Sequence, residues 1–266
     1  MGADTKALRT RIKSVRSTMH LTKAMGLMAS SKIRRANEAM HKAADYAGAL
    51  SDMTEVLLRC PECAKSPYLR QNGDRTRLIV IAGDRGLAGG YNANVFRLAR
   101  EYPEAELLPI GKRACDRCGK PFVSSETFSG EDAHTWAKTL CADFAAGDYD
   151  RLGIVYTRYV SMMTQEAAVQ WVLPLTRPES GKTVSTLFEP DEATVLETAV
   201  PAYVAGVIAA AVRESFASEV AARRVAMDAA GKNATAMIDD LQLRYNRARQ
   251  STITQEITEI VAGSGT

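Results

Sequence analysis

Cysteines are the residues of this chain whose type and spacing most directly suggest chemistry. Four of the five cysteines form two CxxC pairs, Cys60 with Cys63 and Cys115 with Cys118. Four thiolates could hold a tetrahedral Zn²⁺ ion, and a two-residue gap is typical of a zinc-knuckle turn. The same spacing also suits free thiols in a reducing compartment or a redox-sensitive disulfide pair. The sequence leaves these three interpretations open, and we expect the fifth, Cys141, to be a small core residue.

A glycine-rich segment, residues 83–92 (GDRGLAGGYN), is the second candidate for chemistry. It lies where a predicted strand passes into a predicted helix, which is the usual position of a phosphate-binding loop. The segment lacks the lysine and hydroxyl that close a P-loop, and its glycines do not have the spacing of the dinucleotide fingerprint. We therefore interpret it as a tight turn that fixes a strand against a helix. A nucleotide-binding enzyme is the less favoured interpretation.

Histidines and paired carboxylates offer little support for catalysis. The chain has three histidines, His20, His41 and His134, and the first two lie in a basic N-terminal segment. No sequence signature of a zinc protease, a catalytic triad or a kinase is present. We therefore predict a non-catalytic protein with no cofactor apart from the zinc alternative.

Basic residues are concentrated near the N-terminus, although the net charge is only +3. Residues 1–42 contain ten lysines and arginines but only two acidic residues, Asp4 and Glu38. A basic helix of this kind needs an acidic partner or solvent, and nucleic acid is one such partner. The stretch contains no Phe, Trp or Tyr that could stack on bases, which disfavours that partner. A coiled-coil adaptor that binds nucleic acid is therefore kept only as an alternative.

Two long amphipathic helices are predicted at the ends of the chain, where apolar or small residues recur at steps of four and three. The first helix ends before Pro61, and the second begins at Pro201 because proline is tolerated in a first helical turn. Each helix offers the other an apolar seam, so we predict an antiparallel coiled coil. The two seams are Leu8, Ile12, Val15, Met19, Thr22, Gly26, Ala29, Ile33, Ala36 and Met40, and Met227, Ala230, Ala234, Met237, Leu241, Tyr245 and Ala248, continued by Ile253, Ile257 and Ile260.

The middle of the chain alternates predicted strands with predicted helices, which indicates an α/β domain. The strands are predicted at 78–82, 107–110, 122–128, 153–159 and 167–173, and the helices at 94–102 and 131–146. Such alternation predicts a Rossmann-like, three-layer domain with a mostly parallel sheet. The predicted domains are residues 1–60, 61–200 and 201–266. The chain has no run of eighteen apolar residues, so neither a membrane span nor a secretory signal is expected.

Three blocks of the sequence resemble the gamma subunits of bacterial-type F-type (F1Fo) ATP synthases. They are residues 11–36 (RIKSVRSTMHLTKAMGLMASSKIRRA), residues 84–94 (DRGLAGGYNAN) and residues 218–263, which include AMDAAGKNATAMIDDLQLRYNRARQSTITQEITEIVAG. The blocks cover both ends of the chain and the start of the central domain. The remaining middle matches poorly, and the CxxC pairs are not part of the general family pattern.

The resemblance implies a rotor that carries no catalytic site. In this family the paired terminal helices turn inside a ring of three alpha and three beta subunits, and the α/β domain lies beside epsilon and the membrane c-ring. It further implies a peripheral protein at the cytoplasmic face of the bacterial cell membrane, which binds no nucleic acid and does not insert into the membrane. The residues implied to contact the beta subunits are Met25, Lys32, Arg34, Arg35, Arg249, Gln250, Thr254 and Glu256.

Overall fold

The computed structural model describes residues 3–70, 73–178 and 188–263. The elements follow the order α1 (Ala3–Arg59), β1 (Thr76–Ile81), α2 (Tyr91–Ala99), β2 (Glu106–Ile110), α3 (Lys112–Cys118), α4 (Gly130–Ala146), β3 (Arg151–Tyr159), β4 (Gln165–Leu173) and α5 (Glu192–Gly263), with short 3-10 helices at Pro61–Lys65 and Pro67–Leu69. The chain divides into two compact units. The first unit is Met1–Ala29 with Arg224–Thr266, and the second is Ser30–Arg223.

The first unit is an antiparallel pair formed by the N-terminal half of α1 and the C-terminal half of α5. The Arg224 guanidinium donates from Nη1 to the Gly26 carbonyl at 3.1 Å, and the Thr235 hydroxyl lies 3.6 Å from the Met19 sulfur. Because residue numbers fall along α1 as they rise along α5, the helices run in opposite directions. Every predicted α1 seam residue of this unit is buried or half-buried, including Ile12, Thr22 and Ala29. The predicted antiparallel pairing is therefore confirmed.

The predicted α5 seam is buried or half-buried from Met227 to Ala248 except at Met237, whereas its predicted continuation is exposed. Met227 and Ala234 are buried, but Met237 is 46% exposed, and the neighbouring Ile238 is half-buried instead. The next predicted positions, Leu241, Tyr245 and Ala248, are again half-buried, so the seam continues past Met237. Ile253, Ile257 and Ile260 are also exposed. Since Met19 lies opposite Thr235, α1 begins opposite the region just before Ile253, and later residues of α5 have no α1 residue beside them.

The start of α5 differs from the prediction, which placed it at Pro201. The helix begins at Glu192, and Pro201 lies inside it. Asp191 caps the helix, because its carboxylate accepts hydrogen bonds from the Thr194 backbone N–H at 2.9 Å and from the Thr194 hydroxyl at 2.8 Å. This cap satisfies donors of the first turn that otherwise lack partners. The predicted start was wrong because proline was assigned to the first turn, whereas this helix tolerates it further in.

The second unit contains a four-stranded sheet in the order β2-β1-β3-β4. Strand β1 pairs in parallel with both β2 and β3, whereas β3 and β4 form an antiparallel hairpin. Successive side chains of a strand point to opposite faces, so Leu78 and Val80 pack with α2 and α3, and Ile79 and Ile81 pack with α1, α4 and α5. Helices therefore cover both faces, as predicted for a three-layer α/β domain.

The predicted strand at 122–128 is not present; these residues form an irregular segment with a turn at 125–127. Separate hydrogen bonds rather than a strand ladder hold the segment; for example, the Gly111 N–H donates to the Val123 carbonyl at 2.7 Å, and the Val123 N–H donates to the Cys115 sulfur at 3.4 Å. The apolar residues of the segment suggested a strand, but no neighbouring strand provides a ladder. Helix α3, which precedes it, was not predicted.

Helix α5 is, among the described residues, long and apolar enough to cross a membrane by length and composition alone. Its most apolar eighteen-residue window has a mean hydropathy of 1.8, and half of that window is buried within the protein. The apolar residues from Leu196 to Val212 belong to the larger core cluster, together with residues of the sheet and α4. A buried core helix passes the same test, so this finding is weak evidence for a membrane span.

Candidate functional site

The predicted partner-binding residues of α1 have different surroundings. In the first unit, Met25 is half-buried. In the second unit, Lys32 forms an ion pair with Glu126, and Arg34 pairs with Glu38 across one helical turn at 3.2 Å. Arg35 is exposed. The side chains that solvent reaches most freely are therefore those of Arg34 and Arg35, whereas Lys32 already holds a carboxylate of its own chain.

The predicted partner-binding residues of α5 lie near its C-terminal end. Arg249, Gln250 and Thr254 are exposed, and the Thr254 hydroxyl donates to the Gln250 carbonyl at 2.9 Å. The side chain of Glu256 lies outside the described residues. The apolar side chains that follow are also exposed: Ile257 by 56%, Ile260 by 70% and Val261 by 65%. This end of α5 therefore presents apolar surface that could be covered by a partner.

Asp84, at the start of the glycine-rich loop, accepts a set of hydrogen bonds in the second unit. Its carboxylate accepts from the Ser124 hydroxyl at 2.6 Å, and from the backbone N–H groups of Lys112, Ser125 and Glu126 at 3.0, 3.1 and 3.3 Å. Burial by itself raises the pKa of Asp84, but these hydrogen bonds outweigh it and hold the pKa below its ordinary value. Asp84 is thus ionised, and it fixes the loop to the start of α3 and to the turn at 124–127.

A buried ion pair on α5 holds the other side of the same loop. Glu219 and Arg223 are four residues apart, and their side chains are 4% and 13% exposed. The Arg223 guanidinium also donates from Nη2 to the Gly86 carbonyl at 3.3 Å. Burial raises the pKa of the Glu219 carboxyl, and the charge of Arg223 opposes this effect. The pair is therefore satisfied only when the loop is in place.

The glycine loop is a tight turn between β1 and α2, in agreement with the sequence interpretation. The Gly83 N–H donates to the Asn92 side chain at 2.9 Å, which closes the loop on the first turn of α2. A Cβ atom at Gly83 would lie 2.6 Å from the Glu219 carboxylate, so a side chain at this position would push into the buried ion pair. The loop requires glycine here because α5 approaches its backbone closely.

These contacts join four parts of the second unit into one polar network. Lys32 of α1 binds Glu126, Glu126 also lies 3.9 Å from Arg85 of the loop, and the loop is bound by Arg223 of α5. The partners are far apart in sequence: Lys32 and Glu126 are separated by 94 positions, and Arg223 and Gly86 by 137. The network connects the two long helices to the sheet through side chains rather than through apolar packing alone.

The four cysteines of the CxxC pairs are not brought to one point. Cys60 and Cys63 lie after α1, where the Cys63 thiol donates to the Glu192 carbonyl at 3.5 Å. Cys115 and Cys118 lie on α3, where the Cys115 thiol is close to the Pro109 carbonyl at 3.7 Å. In residues 3–70, 73–178 and 188–263, no group of three or more His, Cys, Asp or Glu side chains is placed to hold a metal ion. The fold therefore does not bring these four thiols together as one four-thiolate site, and zinc binding stays an untested alternative.

The five cysteines are free thiols, and burial makes four of them poor nucleophiles, namely Cys60, Cys63, Cys118 and Cys141. Burial raises the pKa of Cys63 to about 11 and that of the core residue Cys141 to about 12. Burial is also the largest cause of the raised pKa values of Cys60 and Cys118. Because the thiolate is the reactive form, these cysteines are protonated and unreactive at neutral pH. The packing favours the free-thiol interpretation over a redox-active pair.

Comparison with known proteins assigns the chain to a family. The family model described as ATP synthase matches residues 4–266. An ATP synthase gamma chain from Ruminococcus albus is 40% identical, and the alignment covers 98% of this chain and 98% of that protein. This chain belongs to the ATP synthase gamma chain family. Gamma chains from Xanthomonas campestris and a Geobacter species are 40% and 36% identical, each with at least 97% of both chains covered.

Solved structures show the fold of this gamma chain family member. A chain in the Euglena gracilis mitochondrial ATP synthase structure of OSCP, F1 and c-ring has a TM-score of 0.70 at 19% identity, covering 98% of this chain and 94% of that one. A chain in the rotor of the same enzyme has a TM-score of 0.66 at 18% identity, covering 95% and 100%. The agreement extends over almost the whole chain, although at these identities it concerns the fold alone.

Sequence reasoning missed the polar network of this gamma chain, although one signal was present. Glu219 and Arg223 lie four residues apart on an otherwise small and apolar part of α5, which includes Ala217, Val220 and Ala221. Charged residues on a buried helix face need partners, so this spacing predicts a buried ion pair. Its contact with the glycine loop could not be read from the sequence, since it depends on how α5 packs on the sheet.

Proposed function

We infer that this chain is the central rotor shaft of an F-type ATP synthase. Rotation of the membrane c-ring, driven by ion flow, turns the shaft, and the shaft forces the catalytic beta subunits through their conformational cycle. The observation that carries this inference is the antiparallel pairing of α1 and α5, with Gly26 against Arg224, in a chain that gamma chains match over its whole length. The nucleic-acid-binding alternative has no support among these relatives.

The proposed partners are a ring of three alpha and three beta subunits, an epsilon subunit and the c-ring. The chemical reason is charge and exposure: the basic helix face that carries Arg34 and Arg35 suits an acidic surface of beta, and the exposed apolar end of α5 suits an apolar bearing. Each exposed ion pair contributes little energy, so these charges fix how the two surfaces align rather than how tightly they bind. The chain itself supplies no catalytic group, and the chemistry takes place on beta.

Met25 and the polar residues near the end of α5 are the proposed beta contacts. Met25 on α1, and Arg249, Gln250, Thr254 and Glu256 on α5, take this role by their resemblance to the family blocks. Lys32 is assigned differently from the sequence interpretation, since its ammonium group is held by Glu126 of the same chain. We assign Lys32 to the polar network that ties α1 to the glycine loop, where it resists slippage of the helix under torque.

The proposed location is the cytoplasmic face of a bacterial cell membrane, without insertion into the bilayer. The relatives reported above are bacterial ATP synthase gamma chains, which supports a membrane-associated complex. The apolar stretch of α5 is packed in the core of the second unit, so the protein itself shields these side chains from water. The chain therefore reaches the membrane only through the c-ring.

Reconstitution with alpha and beta subunits tests the function. We expect the purified chain to assemble with alpha and beta from the same source into a complex with cooperative ATP hydrolysis, which alpha and beta without it do not show. The control is retention on a heparin column, which reports the nucleic-acid alternative. Strong, salt-sensitive retention together with failure to assemble would contradict the rotor assignment.

A further inference from the structure

A cavity beside the edge strand β2 takes no part in the rotor function proposed above. Its volume is about 510 Å³, within the range of small-molecule sites, and it lies between α2 and the end of α3. Two aromatic rings, Phe96 and Tyr102, line it together with the apolar side chains of Val80 and Leu107. An apolar cavity with aromatic walls suits a flat ring system.

Cations at the cavity outnumber the anions available to neutralise them. Arg100, Arg117 and Lys120 line it, and the one acidic lining residue is Glu106. The Glu106 carboxylate is already bonded by Arg77 at 2.7 Å, and the Lys120 ammonium is 4.0 Å from it. The Arg117 guanidinium stacks on the Phe96 ring at 4.9 Å. In the part of the chain that the structure describes, the Arg100 side chain has no hydrogen-bond or ion-pair partner, so two guanidinium groups are available to an anion.

We propose that this cavity binds a small amphipathic anion, an aromatic ring that carries a phosphate or carboxylate group. The ring lies against Tyr102 and beside Phe96, and the anionic group is held by Arg100 and by the edge of the Arg117 guanidinium, whose face stays on Phe96. Stacking and charge act on different parts of the ligand, so both are needed for binding. The site is separate from the residues proposed to contact beta.

Cys118 provides a reporter for the site, because it lines the cavity and is half-buried. Cys60 is also half-buried and lies outside the cavity, next to Val56, which makes it an internal control in the same molecule. The purified full chain is labelled with N-ethylmaleimide at pH 8.5, where some thiolate is present, and labelling of each cysteine peptide is followed by mass spectrometry.

The probe is 1-naphthyl phosphate, compared with 1-naphthol and with inorganic phosphate. We expect 1-naphthyl phosphate to bind with a Kd on the order of 1 mM and to slow labelling of Cys118 about tenfold at ten times that concentration. Labelling of Cys60 is expected to be unchanged. The two partial probes are expected to protect Cys118 far less, because each supplies only one half of the interaction.

Variants on α2 and α3 test the role of the cations. Arg117→Gln and Arg100→Gln are each expected to raise the Kd of 1-naphthyl phosphate roughly tenfold, the effect of losing a charge-assisted hydrogen bond. Arg97→Gln is the matched control, since Arg97 is on α2 outside the cavity and bonds Asn94 at 3.2 Å. Circular dichroism shows that each variant is folded.

Three outcomes would overturn the proposal. The first is equal slowing at Cys60 and Cys118, which would mean a general effect of the probe on the protein. The second is equal protection by 1-naphthol or by inorganic phosphate, which would remove the need for a combined ligand. The third is the same Kd for Arg100→Gln, Arg117→Gln and Arg97→Gln, which would exclude the cavity as the binding place. None of these outcomes bears on assembly with alpha and beta.

Discussion

At the scale of single residues, two carboxylates of the second unit have different structural roles in the polar network. Asp84 accepts hydrogen bonds from a hydroxyl and from three backbone N–H groups, and Glu219 forms a buried ion pair with Arg223. The first organises a loop, and the second attaches that loop to α5. Both have consequences for stability that can be measured on the isolated chain.

Asp84→Asn is expected to lower the free energy of unfolding by about 1–3 kcal/mol at pH 7, because an amide cannot accept all of these hydrogen bonds. The folded-state pKa of Asp84 lies below its ordinary value. Its stabilisation is therefore fully present above the ordinary aspartate pKa, about 4, and is lost as the pH falls through the lower folded value. Urea unfolding at pH 7 and at about pH 3 measures this. An equal difference between the proteins at both pH values would contradict the assignment.

Glu219→Gln is expected to be more damaging, by about 3–5 kcal/mol, since it leaves Arg223 buried without a counter-ion. The double variant Glu219→Gln with Arg223→Gln is expected to cost less than the sum of the single variants. Asp228→Asn is the matched control, because Asp228 and Lys232 have the same spacing on the same helix but are 52% and 78% exposed. Its effect should stay within about 0.5 kcal/mol. Equal losses at both sites in urea unfolding would refute a special role for the buried pair.

At the scale of elements, some glycines are required because other atoms lie too close to their backbone for a side chain to fit. Other glycines have no such neighbours and can be replaced. Gly111 has a φ of +93°, and a Cβ there would lie 1.8 Å from the Ala82 carbonyl oxygen. Gly48 lies on the exposed side of α1, and a Cβ there would meet nothing within 4 Å. The same substitution should therefore have opposite effects at the two positions.

Gly48→Ala is expected to raise the free energy of unfolding by about 0.5–1 kcal/mol, because alanine loses less backbone entropy in a helix. Gly111→Ala is expected to lower it by more than about 3 kcal/mol, through backbone strain and the clash with β1. Thermal and urea unfolding of both variants gives the comparison. A mild effect at Gly111 would show that the junction of β2 and α3 can shift, contrary to its geometry.

At the scale of the whole molecule, the proposed rotor role depends on contacts that this chain makes with other subunits. Met25 is the α1 residue proposed to face beta, and it is half-buried within the first unit. Coupling, rather than stability, is the property that a change at such a contact should affect. It has to be measured in the assembled enzyme.

Met25→Lys is expected to reduce ion pumping per ATP hydrolysed several-fold in membrane vesicles, because a new charge at the beta contact adds repulsion or an unwanted ion pair. ATP hydrolysis should fall less than pumping does. Met53→Lys, the same change at a 39% exposed position of the same helix, is the control and should leave coupling unchanged. Unimpaired pumping by an assembled Met25→Lys enzyme would show that the contact lies elsewhere.

Local patterns in the sequence determined which faces of the long helices are buried and where most strands lie. Ile12, Thr22 and Ala29 follow a helical period, and the apolar run of β1 marks a buried strand, because burial of a face depends on spacing alone. The family blocks added the rotor role. Such patterns extend over only a few neighbouring residues, so they can be recognised in a single sequence.

Tertiary structure alone decided which distant residues meet. Lys32 with Glu126, Arg223 with Gly86, and the separation of the two CxxC pairs depend on how helices pack across the sheet, over sequence separations that no local pattern constrains. The same holds for residues 122–128, which have the composition of a strand but no neighbouring strand to pair with. A strand exists only where a partner supplies its hydrogen bonds, and that partner is chosen by the fold.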